Sequence, residues 1–187
     1  GDFVNHAADF SCSYDGWVTE ATVQSNVHST YQVRLGWGSD GLEHLAPAPV
    51  IVIVDAIDSA IGESAALAAA AAVLPHNPVV FVASLRNATA TAKAAYDVQV
   101  ASGSRTAINL VLAGDDGRFA VEDYLAAGAI GDALTSLGID HSAPDVAVAT
   151  EGFRALQRAL KHLFSASAAG AALVDAGRRD EVRAAAL

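Results

Sequence analysis

The chain contains one cysteine, Cys12, and no methionine. A lone thiol excludes an internal disulfide and fits a reducing, cytoplasmic setting. The longest apolar stretches run to about ten residues, mostly alanine, so no membrane span is expected. No basic segment leads into an apolar one at the start, so no signal peptide is expected, and Gly1 reads as a processed start. Basic residues are scarce: 11 Lys and Arg stand against 21 Asp and Glu, a net charge of -10. With no basic run, nucleic acid is not an expected partner. Familiar catalytic signatures are absent too. There is no GxxxxGK[ST], HExxH, Cys–His cluster or GxSxG. The six histidines are scattered. Only His28, just before the first expected strand, stands out, and it reads equally as a plain loop residue.

What the chain has is aliphatic, and above all alanine: 52% of its 187 residues are hydrophobic, enough for one domain with a full core. Residues 1–27 have no clear period and read as an arm on a single domain over 28–187. YQVRLGW (31–37) alternates like a strand. SDGLEHLAPAP then suggests a turn, a short helix and a stop. Three β-branched runs follow, VIVIVDA from Val50, PVVFVAS (78–84) and AINLVLAG (107–114). Helices are expected after them near 59–74, 87–102 and 120–138. Continuous apolar strands separated by helices mark a parallel sheet covered on both faces, an α/β fold. The last third is helical. Residues 144–166 read as one helix with a core stripe of Phe153, Leu156, Leu160, Leu163 and Phe164, and two shorter helices follow.

Ligands of such sheets gather beyond the carboxyl ends of the strands. That rule selects three stretches. In the first, Asp55 closes an aliphatic strand, where an isolated buried charge is costly. It is either solvated or partnered, and its chemistry suits Mg²⁺. Asp58 or Ser59 can cap the following helix. In the second, Ser84, Arg86, Asn87 and Thr89 surround a helix start, where free amides and a guanidinium favour an anion. The plainer reading makes Asn87 a cap and Arg86 a solvated charge. In the third, Gly114 opens a tight turn, and Asp115, Asp116, Glu122 and Asp123 crowd four carboxylates into nine residues. Glu122 and Asp123 also suit a helix's first turn. Facing one crevice, these acids repel one another unless a cation intervenes.

The order of VRLGWG, the strand ending in Asp55, LRNAT and the segment from Glu122 to Ala129 resembles the 2-phosphosulfolactate phosphatase family of coenzyme M biosynthesis, particularly its bacterial relatives. The likeness spans roughly residues 28–187. It implies a three-layer α/β/α fold with a largely parallel central sheet. It also implies a Mg²⁺-dependent phosphatase acting on a small anionic substrate, a three-carbon acid bearing phosphate and sulfonate. The positions carried over are Asp55, Arg86, Asn87, Gly114, Glu122, Asp123 and Gly128, with Arg34 and Trp37 as structural residues. On this reading Asp55, Glu122 and Asp123 hold the metal. Ser59, Ser84, Arg86, Asn87, Thr89 and Gly114 bind substrate, and Asp58 or Asp115 activates water. One departure matters. The family has segments such as L-R-A-T-T after the strand aspartate, where this chain has A-I-D-S-A-I-G-E-S. An acid there repels anions unless a metal binds it, so the alternative is a non-catalytic anion- or metabolite-binding protein on the same scaffold. A homodimer formed through the apolar C-terminal helices is a further expectation.

Overall fold

The computed structural model describes residues 28–57 and 62–187. The arm of residues 1–27, Asp58 and Ser59 lie outside the described residues. The elements run β1 (Val33–Trp37), α1 (Gly38–His44), β2 (Val50–Val54), α2 (Glu63–Ala72), β3 (Val79–Ala83), α3 (Ala88–Ser102), β4 (Ile108–Leu112) and α4 (Val121–Ser136). Then come α5 (Pro144–Leu156), α6 (Leu160–Ala166), α7 (Ala168–Asp175) and α8 (Arg179–Ala185).

The four strands are parallel, in the order β1-β4-β2-β3. β2 and β4 lie at the centre and are buried throughout. Aliphatic residues with no polar alternation suit such strands, because both of their faces meet helices. Val50, Val52 and Val54 join a core with Ala88, Ala92 and Ala95 of α3, Leu125 and Ile130 of α4, and Val146 of α5. Ile51 and Ile53 face the other way, onto Leu45 and onto Leu67 and Ala71 of α2. The sheet therefore has a helical layer on each side, the three-layer α/β/α arrangement expected. α2 leaves β2 toward one face and α4 leaves β4 toward the other. In open parallel sheets, ligands gather at strand ends whose connections part in this way.

Three local expectations change. The run 78–84 forms β3, but among the described residues β3 is an edge strand with β2 as its one neighbour, and Val79 and Val82 remain 42% and 51% exposed. An apolar run alone does not separate a central strand from an edge. The single helix expected over 144–166 is interrupted by a 3₁₀ turn at Gln157–Ala159. That interruption rotates the stripe: Phe164 is fully buried, whereas Leu156 is 40% exposed. Each strand is also shorter than its apolar run, because the flanking residues turn toward the next element.

At the amino end of the sheet, Arg34 is buried among carbonyls. It donates to the backbone oxygens of Tyr31 (2.9 Å), Ala46 (2.8 Å) and Ser29 (3.2 Å). Desolvation pulls its pKa below the ordinary arginine value. Asn109, its register partner on β4, donates to the same Ala46 oxygen at 2.9 Å. Arg34 thus has the structural role expected of it. It ties down the proline-bearing turn that delivers the chain into β2.

Candidate functional site

The site begins where β2 and β4 end. After Val54 the backbone passes Asp55, whose amide still donates to Ala83 of β3 at 2.9 Å. The next amide, Ala56, leaves the sheet and donates to Asp123 Oδ1 at 2.7 Å. On β4, the Gly114 amide donates to Asp123 Oδ2 at 2.8 Å. One carboxylate in the first turn of α4 therefore joins the ends of both central strands. Gly114 can do this because it has no side chain. Its φ is 73°, and a Cβ there would lie 2.1 Å from the Arg118 carbonyl oxygen.

Asp123 is 3% exposed and Glu122, beside it, is 4% exposed. Desolvation raises the Asp123 pKa from 3.8 to about 7. The two backbone amides act against that rise, while the nearby charges of Asp55 and Glu122 add to it. Asp55, Glu122 and Asp123 thus share one electrostatic neighbourhood. Glu122 Oε2 is buried with no hydrogen-bond partner among the described residues. A buried carboxylate oxygen in that state is costly unless a cation or a proton meets it.

The other candidates are placed less centrally. Asn87 closes a 3₁₀ turn at the end of β3. Its Oδ1 accepts from the Ser84 amide at 2.7 Å and its Nδ2 donates to the Val82 carbonyl at 3.2 Å. Its side chain thus braces the turn. Arg86 is exposed on that turn and makes no hydrogen bond or ion pair among the described residues. Thr89 lines a cavity of about 580 Å³ between α3, α4 and the C-terminal helices. The walls of that cavity include none of Asp55, Glu122 and Asp123. Asp115 forms an exposed ion pair with Arg118 at 3.2 Å across the turn that Gly114 opens. His28 sits 3.9 Å from Asp145, near the start of β1 and α5 and away from the strand ends.

Two features escaped the sequence reading. One is an aromatic wall: Trp37 closes β1, and its ring centroid lies 5.4 Å from Phe119 and 6.2 Å from Tyr124. Phe119 is 62% exposed there. The other is a group of potential metal ligands. Among the described residues, the one set of three carboxylate or imidazole groups with ligand atoms all within 4.8 Å of one another is Asp40, Glu43 and His44 on α1. Their i, i+3, i+4 spacing on one helix turn was the available signal. Among the described residues, no helix is long and apolar enough to cross a membrane.

A family model described as 2-phosphosulpholactate phosphatase matches residues 51–187. No curated protein matches the chain. The matched span begins inside β2 and takes in Asp55, Arg86, Gly114, Glu122 and Asp123.

Proposed function

Because the chain belongs to the 2-phosphosulpholactate phosphatase family, we propose that it is a Mg²⁺-dependent phosphatase. Its substrate is a small organic acid phosphate like 2-phosphosulfolactate, bound at the ends of β2 and β4. The observation that carries this reading is the convergence at those strand ends, where Asp123 holds the amides of Ala56 and Gly114 and has two further carboxylates close by.

The donor set suits the metal. Asp55, Glu122 and Asp123 offer oxygen only, which favours Mg²⁺ over softer ions, and Glu122 Oε2 is a buried acceptor with no partner among the described residues. Mg²⁺ takes one or two carboxylates and completes its shell with waters and phosphate oxygens. Asp55 and Glu122 are the two that would hold it. Asp123, with each oxygen on a backbone amide, positions the strand ends. When bound, the ion supplies charge neutralisation for the phosphate oxygens.

The chain's own residues do the remainder. Arg86, exposed on the β3 turn with no ion pair among the described residues, would meet the second anionic group of the substrate. The Asn87 brace keeps that turn in register with the strand. Hydrolysis then needs water oxygen to attack phosphorus, a carboxylate to take the water's proton, and a proton for the ester oxygen that leaves. Asp58 and Asp115 are the acids proposed for that transfer. Breaking the exposed Asp115–Arg118 pair costs little, about 0–1 kcal/mol.

Phosphate release from 2-phosphosulfolactate and related phospho-hydroxy acids tests the proposal, measured with and without Mg²⁺. Expected is Mg²⁺-dependent turnover that drops at least a hundredfold in Asp55→Asn. Turnover that ignores both the metal and the substitution overturns it. Thermal stabilisation by phosphate with no turnover returns the chain to the anion-binding alternative.

A further inference from the structure

The Asp40–Glu43–His44 group lies outside the matched residues 51–187 and plays no part in the strand-end site described above. From its geometry we infer a second metal site, on α1, that takes a divalent transition ion such as Zn²⁺, Co²⁺ or Ni²⁺ through two carboxylates and one imidazole.

The chemistry of the set comes first. One imidazole with two carboxylates is a borderline donor set, better matched to Zn²⁺, Co²⁺ and Ni²⁺ than to Mg²⁺. Three protein ligands leave a position for water or an anion. A tetrahedral ion with ligands at about 2.0–2.1 Å separates them by roughly 3.4 Å. The three ligand atoms already lie within 4.8 Å of one another. Closing to that spacing falls to rotation of the three exposed or half-exposed side chains.

The imidazole is already oriented. His44 Nδ1 lies 2.9 Å from the Asp40 carbonyl oxygen. A carbonyl only accepts, so Nδ1 carries the proton and Nε2 keeps the lone pair. Metal-bound histidines are usually fixed in this way, through the ring nitrogen that does not bind the metal. Neither the Asp40 nor the Glu43 carboxylate has a hydrogen bond or ion pair among the described residues, and both are exposed. They stand together on one turn with no cation beside them, and an ion there would relieve their repulsion.

The helix beneath is held firmly. Gly41 of α1 packs on Gly36 of β1 so closely that a Cβ on either would come within 2.8 Å of the other's backbone. Leu45, just past the helix, is buried in the core between the sheet and α2. The Ala46 carbonyl that follows is held by both Arg34 and Asn109. The ligands therefore project from a backbone fixed on both sides of the turn, which lowers the ordering cost of binding.

Titration of the full chain with Co²⁺ alone, in Mg²⁺-containing buffer, tests the inference. Calorimetry gives the stoichiometry and visible absorption reports the ligand field. Expected is one equivalent bound at micromolar Kd, weakened at least tenfold in His44→Ala and in Glu43→Gln, and unchanged in His76→Ala. Glu43 is exposed, so Glu43→Gln keeps the test valid should His44→Ala fold poorly. Co²⁺ affinity equal in wild type, His44→Ala and Glu43→Gln overturns the site, as does binding only at millimolar Co²⁺. Asp55→Asn leaves this Co²⁺ site intact, so failure here and failure of the phosphatase proposal are told apart.

Discussion

Two acidic groups of this molecule use the same residue types in opposite surroundings. Glu122 and Asp123 lie at the start of α4, almost without solvent. Asp40 and Glu43 lie on α1, in water. In the buried pair, desolvation dominates the energetics, and two backbone amides offset only part of it. In the exposed group, water already solvates each charge, so what is at stake is mutual repulsion of tenths of a kcal/mol. Burial therefore turns a carboxylate into a structural tie with a strong pH signature. Exposure leaves it a weak element that matters only when a ligand gathers it.

The largest effect expected from that contrast is the pH dependence of stability. Asp123 has a folded pKa of about 7 against 3.8 when unfolded. Below pH 3.8 both states are protonated, and this group's stabilising contribution is fully present. As pH rises from about 4 to about 7 the unfolded state sheds the proton first, and the contribution is lost. At about 1.4 kcal/mol per pH unit, the loss comes to about 4 kcal/mol by pH 8. Urea unfolding from pH 4 to pH 8 in EDTA should show that decline, and Asp123→Asn should flatten it. A wild-type profile as flat as the variant's would break the contrast between the two groups.

The next effect is the tie itself. At pH 5, where Asp123 is largely neutral in the fold, Asp123→Ala leaves the Ala56 and Gly114 amides without their acceptor. The expected cost is about 3 kcal/mol, read as a Tm drop of roughly 10 °C for a chain of this size. At pH 8 the same substitution should cost distinctly less, because wild type has by then lost stability of its own. An equal cost at both pH values would mean that the carboxylate is not the titrating group. Gly114→Ala is expected to cost about 2 kcal/mol, from a side chain forced to positive φ and against the Arg118 carbonyl. A Tm within 2 °C of wild type would show that the turn yields freely.

The same contrast explains what could be read from the sequence. β2 and β4 were legible because a central parallel strand is aliphatic on both faces. The position of Asp55 at a strand end followed from where the run stopped. β3 has the same composition, yet it lies at the sheet edge, since strand order is set by crossovers that local composition does not record. Asp123 was legible as an acid near a helix start. Its use as a clamp was not, because its partners are backbone amides at Ala56 and Gly114, which carry no sequence signature. Asn87 read equally as a cap and as an anion ligand, and the brace it forms depends on a 3₁₀ turn that residue type alone does not dictate. The α1 group leaves an i, i+3, i+4 pattern in the sequence, but one histidine beside two acids on an exposed turn has the composition of any solvated helix face.

The smallest expected effect is also the one that separates the two groups by sign. Glu43 is exposed in the last turn of α1, where a negative charge opposes the helix dipole, and it lies one turn from Asp40. Without metal, Glu43→Gln should therefore raise stability slightly, by about 0.2–0.5 kcal/mol. With saturating Co²⁺ the order should reverse, because the ion binds the folded wild type more tightly and stabilises it in proportion to that binding. Paired thermal melts in EDTA and in Co²⁺ read both signs on the same samples. A variant that stays the more stable protein in both buffers would leave α1 an ordinary acidic turn, with nothing in common with the buried pair beyond residue type.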